Sequence, residues 1–87
     1  TIEKAYTILN GEYEVIEADI IETSDLINKE LKNSNLPDEI RIGAILRDKE
    51  VIIPYSNYVF QKDDTVVLLA KRDELPTVEN MFRISSI

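Results

Sequence analysis

The sequence contains no cysteine, histidine or tryptophan, and only two glycines and three prolines in 87 residues. Without cysteine there are no disulfides, which fits a reducing compartment such as the cytosol. The usual zinc ligands are missing, and so are the Ser-His and Cys-His pairs of nucleophilic catalysis. No apolar run approaches the roughly 18 residues that cross a bilayer, and no signal-peptide pattern is present, so direct membrane insertion is not expected. Basic residues are scarce too. Ten Lys and Arg against seventeen Asp and Glu leave a net charge of −7, with no basic block. Such a surface repels phosphate backbones and anionic lipid, which argues against nucleic acid as a partner. The chain begins at Thr1 rather than Met and reads as an excised fragment or a processed product.

What is present is a globular composition, 44% hydrophobic and 31% charged, outside the disordered class. The length suits one domain with one core. A domain this small buries a modest share of its surface, and oligomerisation is a common source of extra stability.

Two extended runs, Lys4–Leu9 and Glu12–Ile21, flank Asn10-Gly11. Both turn residues tolerate positive φ, so a hairpin is predicted. In the second run Ile16, Ala18 and Ile20 share one face, which marks a half-buried strand. Ser24 is a good N-cap and Asp25 suits a first helical turn, predicting a helix with Leu26, Ile27 and Leu31 as its stripe. Asn33-Ser34-Asn35 ends it, and Leu36-Pro37 forces an extended exit. Val66–Lys71 is apolar on both faces and reads as a central strand. Leu75, Val78 and Phe82, with Met81 alongside, form the stripe of a final short helix, and Pro76 sits in its first turn. The elements make an α+β domain: a small, mainly antiparallel sheet of four to five strands with two helices. The domain core spans about residues 12–83, with residues 1–11 as a strand leading in.

The stretch from Arg41 to Pro54 poses the main question. With Asp48-Lys49 as a two-residue loop, Arg47 pairs with Glu50, Leu46 with Val51, Ile45 with Ile52, Ala44 with Ile53 and Gly43 with Pro54. Strict alternation then puts Ile40, Ile42, Ala44, Leu46, Val51 and Ile53 on a core face. The opposite face carries Arg41, Gly43, Ile45, Arg47, Glu50, Ile52 and Pro54, apolar at its centre and charged at its ends. Each buried Ile contributes roughly 1.5–3 kcal/mol, so this second face is expected to be covered. Two coverings are open: the chain's own terminal helix, or a second copy in a homodimer with a charged rim. Gly43 and Pro54 suit a sheet edge.

Other candidate sites weigh less. Glu12, Glu14, Glu17, Asp19 and Glu22 form an acidic strand, but alternate residues lie about 7 Å apart and do not converge on a cation. The strand reads as a solvated face. Carboxylate pairs are unavoidable among so many acidic residues, and nothing marks a pocket or a nucleophile, so the chain is not expected to be an enzyme. Tyr6, Tyr13, Tyr55 and Tyr58 read as packing residues.

The order and spacing of several motifs resemble one known module. Glu14-Val15-Ile16-Glu17-Ala18-Asp19, Glu22-Thr23-Ser24, Leu36-Pro37, Arg41-Ile42-Gly43-Ala44-Ile45, Val51-Ile52-Ile53-Pro54, Asp64-Thr65-Val66-Val67 and Val78-Glu79-Asn80-Met81-Phe82 are similar to the TrkA C-terminal domain. That domain is the C-lobe of the regulators of potassium conductance. The resemblance runs from about Lys4 to Ile84. The family usually has Gly-Asp before its last strand where Asp63-Asp64 stands here, and Asp can occupy a left-handed turn position.

The resemblance implies a regulatory, ligand-sensing and dimerising lobe of a cytosolic subunit that governs potassium ion transport. It places the protein in the cytoplasm, peripheral to the inner face of the membrane through the transporter. The implied partners are a second copy, a Rossmann nucleotide-binding lobe of the parent chain and a membrane potassium transporter subunit. No Gly-x-Gly-x-x-Gly is present, so no NAD or ATP cofactor is expected within these residues. In some members the dimer cleft binds a small effector, cyclic di-AMP. The corresponding ligand-binding positions are Arg41, Ile45, Arg47, Ile52, Ile53 and Pro54. Arg would pair with phosphate and Ile would pack on a base. The alternatives are a purely structural dimerisation lobe, and the same module embedded in another cation or anion transporter.

Overall fold

The computed structural model describes residues 2–82, with side chains from residue 6 onward. Arg83 and Ile84, where the expected domain and the resemblance end, lie outside the described residues. Five strands, β1 (Ile2–Ile8), β2 (Tyr13–Asp19), β3 (Ile40–Arg47), β4 (Glu50–Ile52) and β5 (Thr65–Lys71), are followed by one helix, α1 (Leu75–Phe82). The strands form a single antiparallel sheet in the order β1-β2-β5-β3-β4. The all-apolar strand β5 is central, as its sequence predicts. β2 and β3 pair with it along nearly their whole lengths, although they are far apart in sequence.

One face of the sheet is the core. Ile16 and Ala18 of β2, Val66, Leu68 and Ala70 of β5, and Ile40 and Ile45 of β3 are all buried there. Val78 and Phe82 of α1 join the same cluster, together with Ile20, Leu26 and Phe60 from the connections. Pro76 lies in the first turn of α1, where its missing N–H is not required.

Three turns define the register. The β1–β2 connection is wider than the two-residue hairpin predicted. The last pair is Ile8 with Tyr13, and Leu9, Asn10 and Gly11 all take positive φ. Between β3 and β4, Asp48 (φ 49°) and Lys49 (φ 69°) form the predicted two-residue loop, with the mirror-image turn that matches strand twist. Before β5, Asp63 takes the left-handed position, φ 71°, which Asp tolerates.

The segment predicted as the first helix is not an α-helix. Residues 22–28 form turns, and only Leu31–Asn33 makes a single 3-10 turn. Its main-chain groups bond across to the β4–β5 connection instead. Asn28 N–H donates to the Phe60 carbonyl (2.9 Å), Leu31 N–H to Tyr58 (2.8 Å) and Lys32 N–H to Ser56 (2.8 Å), and Phe60 N–H donates back to Lys29 (3.0 Å). Asn28, at φ 66°, breaks any helical run. The capping residue still serves. Ser24 Oγ accepts from Leu26 N–H (3.2 Å) and donates to the Met81 carbonyl (2.8 Å), tying this segment to α1. Leu26, Ile27 and Leu31 pack on the core as their spacing implied, without a helix to present them, and Leu36 packs there too.

The hairpin faces also differ from strict alternation. Pairing along β3 and β5 steps from Ile42–Leu68 to Ala44–Val67, so Gly43 is the extra residue of a bulge. Every residue after Gly43 is turned over. Ile45 and Arg47 therefore share the core side with Ile40 and Ile42, while Ala44 and Leu46 face away. Ile45 is fully buried and Ile52 packs against the core, so this chain covers both. The expected pairs Ala44–Ile53 and Gly43–Pro54 do not form, because the ladder ends at Ile45–Ile52. On the other face Val15, Val67, Leu69 and Leu46 are half-buried and Val51 is exposed.

Two neighbouring substitutions separate the observed facing from strict alternation. Ile45→Ala should cost about 2–5 kcal/mol in urea unfolding, as a large-to-small change in a sealed core. Leu46→Ala should cost about 1 kcal/mol, since its side chain is only half-buried. Strict alternation gives the opposite order.

Candidate functional site

The candidate site lies around the β3–β4 hairpin and the chain that leaves it. The six sequence-predicted residues divide into two groups. Arg41 is exposed, Ile53 is 67% exposed, and Pro54, just beyond β4, is half-buried. Ile45, Ile52 and Arg47 are turned toward the interior. β4 is a three-residue edge strand, and Val51, Ile53 and Tyr55 make an exposed apolar run along it and just beyond. Of the four tyrosines read as packing residues, Tyr6 and Tyr55 are exposed, and neither packs in the core.

Arg47 has a specific and unanticipated partner. The bulge carries its side chain over the turn that precedes β5, where Asp64 is almost completely buried. Arg47 Nε donates to Asp64 Oδ1 (2.8 Å) and Nη2 to Oδ2 (3.1 Å), a two-pronged pair. Tyr58 Oη donates to Asp64 Oδ2 (2.6 Å), the Gln61 N–H donates to the same oxygen (3.0 Å), and Arg47 Nη2 also bonds Tyr58 Oη. The guanidinium carbon stands 5.2 Å from the Tyr58 ring centre, and Tyr58 meets Phe60 edge to face at 5.8 Å. No buried side-chain polar atom among the described residues lacks a partner.

The electrostatics follow from this geometry. Burial pushes the Asp64 carboxyl up, but hydrogen bonds from Arg47, Tyr58 and the Gln61 N–H outweigh it and hold it below the usual carboxylate range. Burial, and then donation to Asp64, push the Tyr58 phenol well above its ordinary value. The hydrogen bond to Asp64 raises Arg47 further, so it stays charged. Nothing here is poised to move a proton near neutral pH. The cluster is a clamp that holds the hairpin, the Tyr58 segment and the β5 turn together.

Beyond the end of β4, a groove of about 340 Å³ opens between the 3-10 turn and β3, with Leu31, Leu36 and Ile42 as its walls and Lys32 and Arg41 at its rim. The acidic strand is split between faces. Glu17 and Asp19 point away from the core and Glu14 to the core side, and Asp19 Oδ1 accepts from Thr65 Oγ1 (2.7 Å). No group of three or more possible metal ligands occurs among the described residues. No helix among them is long and apolar enough to cross a membrane.

The clamp makes a prediction in both composition and pH. Asp64→Asn should cost about 3–5 kcal/mol at neutral pH, because it strands the half-buried Arg47 charge. Because the folded-state pKa of Asp64 is depressed, its contribution is present above the unfolded value, about 3.9, and is lost as pH falls through the lower folded value. Urea unfolding should therefore show a constant gap between the parent and the Asn variant near neutral pH that narrows as the pH falls below about 4.

Comparison with known proteins agrees with the architecture. The family model described as TrkA-C domain matches residues 15–83. The chain is 38% identical over 84 residues to the Trk system potassium uptake protein TrkA of Azorhizobium caulinodans, covering 97% of this chain and 18% of that protein. It is 28% identical to the protein of the same name from Haemophilus influenzae, covering 98% of this chain and 19% of that one. The chain thus spans less than a fifth of the length of these curated relatives. Among solved structures, one described as "Structure of RCK domain with cda" superposes with a TM-score of 0.65 at 17% identity, over 78% of this chain and 96% of the other. By the family match and by its fold, the chain belongs to the TrkA-C domain family.

Proposed function

We propose that this domain is the regulatory lobe of a subunit that controls potassium uptake, and that it works as a homodimer. The carrying observation is the likeness to TrkA proteins along 97% of the chain. In this reading the strand at residues 1–11 leads in from a Rossmann nucleotide-binding lobe of the parent chain, and the domain core spans about residues 12–83. The parent sits in the cytoplasm against a membrane potassium transporter subunit. The domain transmits a change in the relative orientation of two copies and is not an enzyme. A ligand that favours one orientation shifts the population toward it by its difference in affinity between the two.

The effector cleft is bounded by Arg41, Ile53 and Pro54 from each copy, with Ile52, Ile45 and Arg47 supporting it from beneath. A small dinucleotide such as cyclic di-AMP would set its phosphates against Arg41 and its bases against Ile53 and Pro54. Engaging Arg47 as well means displacing the Asp64 carboxylate. That occupancy of Arg47 favours the second reading, a purely structural dimerisation lobe with sensing done elsewhere. The same module serving a different cation or anion transporter is decided by the architecture of the parent chain.

Calorimetric titration of cyclic di-AMP into the domain separates the first two readings. Sensing predicts saturable heat with one dinucleotide per two chains, lost in Arg41→Ala and weakened in Ile53→Ala. Absence of heat at high micromolar ligand, from a chain that is dimeric at the same concentration, assigns the domain a structural role.

A further inference from the structure

The turn between β1 and β2 holds Asn10-Gly11, and Asn10 is the only one of the six asparagines followed by glycine. An Asn side-chain carbonyl carbon can be reached by the next residue's main-chain nitrogen, which is least hindered when that residue lacks a Cβ. Asn10 is exposed and borders an open hollow of about 460 Å³ shared with Lys71 and Arg72, so water reaches it. The turn is lightly held. It buries none of its residues, and Leu9 takes φ 50°, a left-handed conformation that is costly for leucine. Two main-chain bonds close it: Glu12 N–H donates to the Leu9 carbonyl (3.2 Å), and Arg72 N–H donates to the Glu12 carbonyl (2.9 Å). The Arg72 guanidinium lies against the turn, where a Cβ on Gly11 would stand 3.4 Å from Nη1.

We propose that Asn10 is a site of self-modification by deamidation, and that the folded turn sets its rate. The Gly11 nitrogen gives up its proton to solvent and bonds to Asn10 Cγ. The side-chain amide nitrogen takes up a proton and leaves as ammonia, and a five-membered succinimide remains. One water then adds across the imide. Cleavage of the nitrogen's bond to Cγ yields aspartate. Cleavage of its bond to the main-chain carbonyl carbon yields isoaspartate, which carries the backbone through one extra methylene. No oxidant or cofactor takes part. The folded turn opposes the first step. At ψ 30° the Gly11 nitrogen stands nearly opposite Cβ about the Cα–C bond of Asn10, whereas the ring needs the two on the same side. The reaction therefore proceeds from the opened turn, in proportion to its population. Aspartate leaves the main chain as it was. Isoaspartate lengthens the turn that fixes the last ladder pair, Ile8 with Tyr13, and β1 is an edge strand joined only to β2. It therefore loosens β1 and spares the rest of the sheet. This modification is independent of the regulatory role proposed above.

Peptide mapping by mass spectrometry tests it, on the 87-residue chain aged in buffer with and without urea. Cleavage after Glu3 and Glu12 releases Asn10 with no other asparagine. That peptide should gain one dalton and split into two products, with isoaspartate in excess. Asn33 should stay intact in the folded chain, since the Ser34 N–H that would attack it is tied to the Leu31 carbonyl (3.1 Å). Conversion at Asn10 should run roughly tenfold more slowly folded than in urea. Arg72→Ala, at an exposed position and with folding checked by circular dichroism, should speed the folded reaction severalfold and leave the rate in urea unchanged. A folded chain that keeps Asn10 while the unfolded chain converts overturns the site, as does earlier loss at another asparagine. Equal rates with and without urea, or an Arg72→Ala rate no faster than the parent's, overturn control by the turn. Hydrogen exchange reads the consequence. The Tyr6 and Ile8 amides should exchange faster in the isoaspartyl product than in the Asn10→Asp variant, with those of β5 unchanged, and equal protection in both overturns the loosening of β1.

Discussion

One extra residue in β3 sets the facing of the whole hairpin. Side chains alternate along a strand, so a bulge that adds one residue exchanges the two faces for everything beyond it. At Gly43 this sends Ile45 into the core and swings Arg47 onto the buried Asp64. It also puts Ala44 and Leu46 on the outer face beside Val67 and Val51. Had the strand run regularly, an Ile would be left on the surface and the Asp64 carboxylate would be buried without its guanidinium. Neither the space nor the backbone demands glycine at this position. A Cβ on Gly43 would stand 3.7 Å from the Val67 carbonyl oxygen, an ordinary contact. The bulge is fixed by what it satisfies on either side.

Asp64 shows how a small domain joins distant segments with few residues. Its carboxylate gathers Arg47 from β3, Tyr58 from the β4–β5 connection and the Gln61 main chain. Its own carbonyl accepts from Ile20 N–H at 2.8 Å, just past β2. A buried carboxylate is costly when alone, and each donor here offsets part of that cost. The crossover from β2 to β3 follows the same economy. It spends its main-chain bonds on the Ser56–Phe60 segment rather than on an α-helix, so two irregular stretches satisfy each other and seal Phe60.

These constraints shape the functional surface. Of the residues that the family resemblance assigns to a ligand, Arg41 and Ile53 are exposed, Pro54, Ile52 and Arg47 are half-buried, and Ile45 is sealed in the core. The chain covers one side of its sheet with α1 and the crossover and leaves the other apolar. A domain of 87 residues gains stability from each part of its apolar surface that it covers.

Much of this was legible in the sequence. The central strand, the β3–β4 turn, the terminal helix and the buried parity of Ile16, Ala18 and Ile20 follow from local pattern, because propensity and periodicity act over a few residues. The predicted first helix does not form: its capping serine and apolar spacing are real, but the competing main-chain partners lie some 30 positions away in sequence. Gly43, a glycine inside a strand pattern, was the one local sign of a bulge, but only the register against β5 shows which residues it turns over. The sequence by itself determined the fold class, the family and the acidic surface, since composition and short-range order carry these. Tertiary structure alone decided which residues of β3 face the core and that Arg47 is bound to Asp64, because both depend on how strands distant in sequence align.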